Sequence, residues 1–393
     1  MKKITLLSFL INAFIGFSQC PSENILLTTQ ADVDNFATNY PGCTMLTHEL
    51  KVDSAGTDVT NLNGLAQIVQ AQDIFILSSE ITSLQGLHNV QNVTRLALWF
   101  NGNLQNLEGL SSLESAGSLE IWINNGMTSL VGAPNLMNLE RLNLFDNVNL
   151  ADISQLSFLE DLTSLIVRGN ALETLAGLEN ITTIDEDVQI SNEQIQNFDE
   201  LSSLQSIGGA LHISNHEFAE DLSAFINIDT LVDLYITECP SVFDFSGMEN
   251  IEIVTGRLRI GFNPGLENLN DFSKLTDVGE LDVYENPNLI SVDGLEGIAN
   301  ITGRLLIFDN PVLTSIEGLN DVLPGDIQEV AIGNNVNLSI CSIDLICAVI
   351  DDPDVNKVFF NNAIGCNTVE EVEEACLLLG VDDVALGTLY TAS

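Results

Sequence analysis

Pairs of apolar residues separated by one position recur along this chain, and each pair is followed by a polar turn. Fourteen such pairs run from Leu50/Val52 through Ile74/Ile76, Leu96/Leu98, Leu119/Ile121, Leu142/Leu144, Leu165/Val167 and Val188/Ile190 to Leu211/Ile213, Leu234/Ile236, Leu258/Ile260, Leu281/Val283, Leu305/Ile307, Val330/Ile332 and Val358/Phe360. The step is 22 to 25 residues from Leu50 to Val330, most often 23, and 28 at the end. Alternation over so short a stretch predicts a strand with one buried face. The apolar residues beyond the turn, such as Leu104, Leu107, Leu110 and Leu113, predict a return path that also faces inward. One coil cannot bury its own apolar face, whereas stacked coils bury a continuous one. The pattern predicts an all-β-rich repeat solenoid, right-handed, of about fourteen coils of ~23 residues with a parallel β-sheet and short capping helices at both ends.

Asparagine recurs five residues after the first strand residue, at Asn101, Asn124, Asn147, Asn170, Asn263, Asn286, Asn310 and Asn335. A side-chain amide there is expected to bond backbone groups of its own and the next coil. At the ends, Thr29 is expected to cap a short helix bearing Val33 and Phe36, and Thr368 with Glu371 forms a capping-box pattern before Val372, Cys376 and Leu377. The expected organisation is a signal peptide over 1–19, an N-terminal cap over 20–45, the repeat solenoid over 46–340, a cysteine-containing C-terminal cap with the last coil over 341–380, and a tail over 381–393.

The run Leu139-Glu-Arg-Leu142-Asn-Leu144-Phe-Asp-Asn147 resembles the strand segment of a leucine-rich repeat. Later coils, such as Thr302-Gly-Arg-Leu305-Leu-Ile307-Phe-Asp-Asn310-Pro311, resemble the receptor L domain of the insulin-receptor type. The resemblance spans about residues 46 to 363 and is similar to repeats of exported Bacteroidetes proteins. It implies a solenoid and says little about ligand. It also implies a C-terminal sorting domain; residues 381–393 end before one, leaving a truncated chain or a different export route as alternatives.

Lys2 and Lys3, the apolar run Ile4 to Phe17 and Ser18-Gln19-Cys20 form a secretory signal pattern. The expected location is secreted, extracellular or at the outer cell surface, and no other run is apolar and long enough to span a bilayer. Seven cysteines stand at 20, 43, 239, 341, 347, 366 and 376. In an oxidising compartment they read as stapled caps, with Cys20–Cys43 the natural first pair and three pairings open for the last four. Cys239 is left as a free buried thiol. The spacing of the last four fits no zinc pattern.

The formal net charge is −45, and loss of Lys2 and Lys3 would bring it to −47. Such a chain is repelled by nucleic acid and anionic membranes. Weak calcium binding by Asp282, Glu285 and Asp309 is the cofactor reading this acidity permits, although no EF-hand loop is present.

Within each strand, the residue between the apolar pair and the one after it are expected to face solvent. The row just after the pair contains Leu77, Trp99, Trp122, Phe145, Arg168, Tyr284 and Phe308, with Phe100 and Ile123 alongside. Both tryptophans of the chain fall in adjacent coils of this row. Large apolar residues on successive coils form an exposed patch of the kind that binds ligands. Flat aromatics in a row suit sugar rings and also suit a protein hot spot. The expected function is binding or adhesion to an extracellular glycan or protein on the sheet face, without catalysis. The alternatives are a structural spacer in a larger adhesin and a polysaccharide-active enzyme using Glu285 and Asp309 as paired carboxylates. His48, His88, His212 and His216 make no metal-binding motif, and nucleophile-elbow, Walker and dinucleotide patterns are absent.

Overall fold

The computed structural model describes residues 20–55, 59–192, 194–218, 222–323 and 325–379; the signal-peptide and tail assignments lie outside the described residues. The chain is a parallel β-solenoid. Each coil contributes one strand to a continuous parallel sheet, from Met45–Asp53 and Gln70–Leu77 through to Glu329–Gly333 and Asn356–Phe360. A short strand at Ile25–Leu27 extends the sheet beyond the first coil.

Register follows the repeat. Leu96 pairs with Leu119, Leu119 with Leu142 and Leu142 with Leu165, so equivalent positions form straight rows across the sheet. The inward pairs are almost completely buried, as are Leu104, Leu107, Leu110 and Leu113 on the return path. In the central coils the return path carries phenylalanines, with Phe198 against Phe225 and Phe245 against Phe272 at ring-centroid distances of 5.6 and 5.0 Å. Leucine rows and these rings join in one core that runs the length of the described solenoid.

The last coil differs from the sequence reading by one residue. Val330 pairs with Lys357 and Ile332 with Phe359, so Phe359 is buried and Phe360 is exposed. The ammonium of Lys357 donates to the carbonyls of Val349 and Asp352, which lets its stem occupy an inward position while its charge escapes the core.

The asparagine rows are hydrogen-bond ladders. Asn124 donates from Nδ2 to the carbonyls of Leu98 and Trp122, while its Oδ1 accepts the Asn101 N–H. The bond to a carbonyl of the preceding coil and the accepted N–H repeat at Asn147, Asn286 and Asn310. They satisfy backbone groups that the turn would otherwise leave bare inside the solenoid.

Both ends are closed by small helices. Gln30–Asp34 begins at Thr29, where a capping box with Asp32 is formed. Val369–Leu379 begins after Thr368, whose hydroxyl accepts the Glu371 N–H. The Glu371 carboxylate reaches Gly365 and Asn367 N–H, completing the turn before the helix. Disulfides join Cys20–Cys43, Cys341–Cys366 and Cys347–Cys376, and Cys239 is a free buried thiol. Burial pushes the Cys239 thiol up to about 12, which keeps it protonated and inert.

Candidate functional site

Strand alternation aims two neighbouring rows outward from the N-terminal half of the sheet. One reads Phe75, Ala97, Glu120, Asn143, Ile166, and the next reads Leu77, Trp99, Trp122, Phe145, Arg168. The spacing between strands, about 4.8 Å, matches the stacking distance of flat rings closely enough for adjacent tryptophans to meet face to face. Trp99 and Trp122 do so, with centroids 4.5 Å apart and planes 9° from parallel. Phe75 meets Trp99 edge-on at 5.6 Å, and Phe145 tilts against Trp122 at 5.8 Å.

This packing changes what the row offers. Trp99 and Trp122 each cover one face of the other, and the indole Nε1 of both is buried without a hydrogen-bond partner. A sugar ring stacks on an open aromatic face, and the mutual stacking removes one such face from each tryptophan. Leu77 differs from expectation too. Phe75, Ala97 and Trp99 pack around it and bury it, so it closes the end of the row without standing open to solvent. Arg95 clamps the edge of the array: it binds Glu120 through two bonds of 2.7 and 2.8 Å and lies 4.8 Å from the Phe75 centroid. Arg168 covers the other end, 4.9 Å from the Phe145 centroid.

Phe100 and Ile123 sit one residue beyond the row, where the chain enters the turn. Both are held in the left-handed region, at φ 61° and 54°. Other coils fill this position with Ser78, Asp146, Gly169, Asn215, Glu238, Phe262, Glu285, Asp309, Asn334 or Asn361, of which Gly, Asn and Asp tolerate it best. Phe100 is 50% exposed and Ile123 is half-buried, so neither gains a core contact that offsets the conformational cost.

The second cluster lies in later coils. Tyr284 lies over Gly261, where a Cβ would come within 2.4 Å of its ring, and meets Phe262 edge-on at 5.3 Å. Phe308 approaches Phe360 at 5.5 Å across Gly333. Phe262, also at positive φ, and Phe360 were not singled out from sequence. Phe262 was detectable as an apolar residue in a turn position; Phe360 was hidden by the register of the last coil.

The calcium candidates separate in the structure. Asp282 is buried and ringed by guanidiniums, with Arg304 at 2.7 Å, Arg259 at 3.3 Å and Arg257 at 3.7 Å. Its oxygens are committed to arginine, which corrects the cation reading at this residue. Glu285 and Asp309 stand in the left-handed turn of successive coils. No group of three or more His, Cys, Asp or Glu among the described residues is placed to hold a metal ion. Beside the arginines opens a cleft of about 440 Å³ lined by Asp233, Tyr235, Arg257 and Glu280.

All six arginines of the chain project from this sheet face. Counting the three outward positions of every strand, seven basic residues stand among nine acidic ones, against 11 and 56 in the whole sequence. The face is therefore close to neutral while the turns and return side carry the acidity. His212 and His216 do not share a site. His212 lies on the outer face against Tyr235, and His216 is buried against Phe198.

No protein-family model matches the chain, and no curated protein matches it. Among solved structures, an internalin from Listeria monocytogenes is similar, at 17% identity and a TM-score of 0.48, over 88% of this chain and 86% of that one. No helix among the described residues is long and apolar enough to cross a membrane.

Proposed function

We propose that the chain is a secreted or cell-surface binding and adhesion module that takes a polypeptide ligand on its parallel-sheet face, centred on the Trp99–Trp122 row. The observation that carries this reading is the pair Phe100 and Ile123. Each holds an exposed or half-exposed apolar side chain beside the tryptophans in a backbone conformation that favours Asn, Asp or Gly. A residue that costs the fold stability without packing into it is accounted for by contact with something outside. Trp99, Trp122, Ile123, Phe100 and Arg168 together resemble a protein hot spot, where Trp and Arg are enriched. The mutual stacking, which removes one face of each indole, weighs against stacked sugars. Three disulfides suit the oxidising surroundings of an exported protein. The near-neutral sheet face lets a protein approach without the repulsion that the remaining surface would impose.

The test is selection of a displayed library of random twelve-residue peptides on the purified chain, alongside a glycan array. Peptides that bind the wild type and lose at least tenfold affinity on Trp99→Ala/Trp122→Ala support the reading. Glycan binding lost in the same variant replaces the polypeptide with a sugar, and peptide binding indifferent to the variant removes the site.

A further inference from the structure

Between the two aromatic clusters the sheet face changes character. From the strand of Arg168 to that of Arg259, the two outward rows carry Gln189, Ser191, His212, Ser214, Tyr235 and Thr237, with no carboxylate among them. In a chain with 56 acidic residues this is an unusual stretch of surface. The flanking Asp187 and Asp233 accept backbone N–H groups of Ala210 and Arg257, which ties each carboxylate to the next coil.

An arginine closes the strip at each end, and these two differ from the rest. Arg95, Arg141, Arg257 and Arg304 each hold a carboxylate at short range. Arg168 is exposed, and among the described residues it makes no ion pair; it only overlies Phe145. Arg259 has one ion pair, at 3.3 Å, to an Asp282 that Arg304 already binds more closely. The Arg259 Nε is buried and has no hydrogen-bond partner, and its guanidinium lies 5.3 Å from the Tyr235 centroid, leaning toward the strip. Burial holds the His212 imidazole below its usual range, and the charges of Arg259 and Arg168 push it the same way, against the smaller opposing charge of Glu238 in the turn after Thr237.

We propose that this strip binds an extended acidic segment of the polypeptide ligand, one carboxylate pairing with Arg168 and a second with Arg259. This rests on the polypeptide reading of the neighbouring aromatic row and adds the chemistry of the partner. Four strand spacings separate the two arginines, ~19 Å at ~4.8 Å each, and an extended chain advances ~3.3 Å per residue. The two acidic residues of the ligand therefore stand about six positions apart. The hydroxyls, Gln189 and His212 between them offer donors and acceptors for the intervening peptide backbone. A densely sulfated glycan fits less well. It carries charge along its whole length, whereas the strip supplies guanidinium only at its ends and the whole chain repels polyanions.

The experiment repeats the peptide selection on Arg168→Gln/Arg259→Gln, whose side chains lie outside the core, with the thermal midpoint measured to verify folding. Wild-type binders should be enriched in pairs of Asp or Glu about six positions apart, and the variant should lose that enrichment while keeping the apolar preference. A binder carrying such a pair should weaken on the order of tenfold on the variant. Apolar binders without acidic pairs, or acidic pairs indifferent to the variant, overturn the strip and leave the aromatic site standing. Heparin binding lost in the variant overturns the peptide as occupant. No selectable peptide on the wild type overturns the polypeptide reading itself.

Discussion

At the scale of single residues, the asparagine ladder shows how far one side chain can be replaced. His216 and Cys239 occupy the ladder position in two adjacent central coils. His216 donates from Nε2 to the Ile190 carbonyl at 3.1 Å, the contact that an asparagine amide makes elsewhere. Its Nδ1 is buried without a partner, and burial lowers its pKa to about 4. The folded protein therefore keeps this imidazole neutral where an unfolded chain, titrating near 6.5, would protonate it. The contribution is intact above pH 6.5, is lost as pH falls from 6.5 toward 4, and amounts to ~3 kcal/mol. His216→Asn should restore the ladder and remove this part of the acid sensitivity. Urea unfolding at pH 7 and pH 4.5 measures it: the variant should lose less stability than the wild type, and equal losses would contradict this account of His216. The ladder itself was legible in the sequence, because asparagine recurred at fixed spacing. Its two replacements were not, because histidine and cysteine share no pattern with asparagine and reveal their equivalence only through the carbonyls they face.

At the scale of elements, strand alternation identified the inward rows and the outward row of aromatics without a structure. What it could not supply was the direction in which rings lie within a row. Trp99 and Trp122 turn one face each to the other, a pairing that the composition of the row did not specify. The buried state of Leu77 and the arginine collar of Asp282 were hidden for the same reason: each depends on neighbours about 23 residues away along the chain rather than on local sequence. The last coil was misread because Val358 and Phe360 alternate as well as Lys357 and Phe359 do, and only cross-strand pairing separates the two. The turn after each strand also returns a prediction. Phe100→Asn/Ile123→Asn should stabilise the protein by roughly 1–2 kcal/mol, since Asn accepts the left-handed conformation. It should also weaken ligand binding on the order of tenfold. Chemical denaturation and titration with a selected peptide measure the two effects. A gain in stability with affinity unchanged would deny these residues a binding role.

At the scale of the whole molecule, the solenoid sorts charge. Its turns and return side carry most of the acidic residues, and its sheet face gathers every arginine beside the aromatic rows. The acidic surface keeps the protein soluble and turns away polyanions, while the near-neutral face remains open to a partner. The disulfide-stapled caps close the two ends of the stack, where an uncovered coil would present its core and free strand edges. The sheet thus becomes a long face of fixed geometry, with an aromatic site toward one end and a polar strip beyond it.

Both tryptophans of the chain lie in the proposed site, so tryptophan emission, excited at the red edge where tyrosine does not absorb, reports on that site alone. The most direct measurement is acrylamide quenching of this emission during titration with a selected peptide, with affinity measured independently by calorimetry. The account predicts that quenching falls in step with occupancy as the peptide covers the indoles. Saturable binding with emission and quenching unchanged would place the ligand elsewhere and contradict the aromatic row as the binding site.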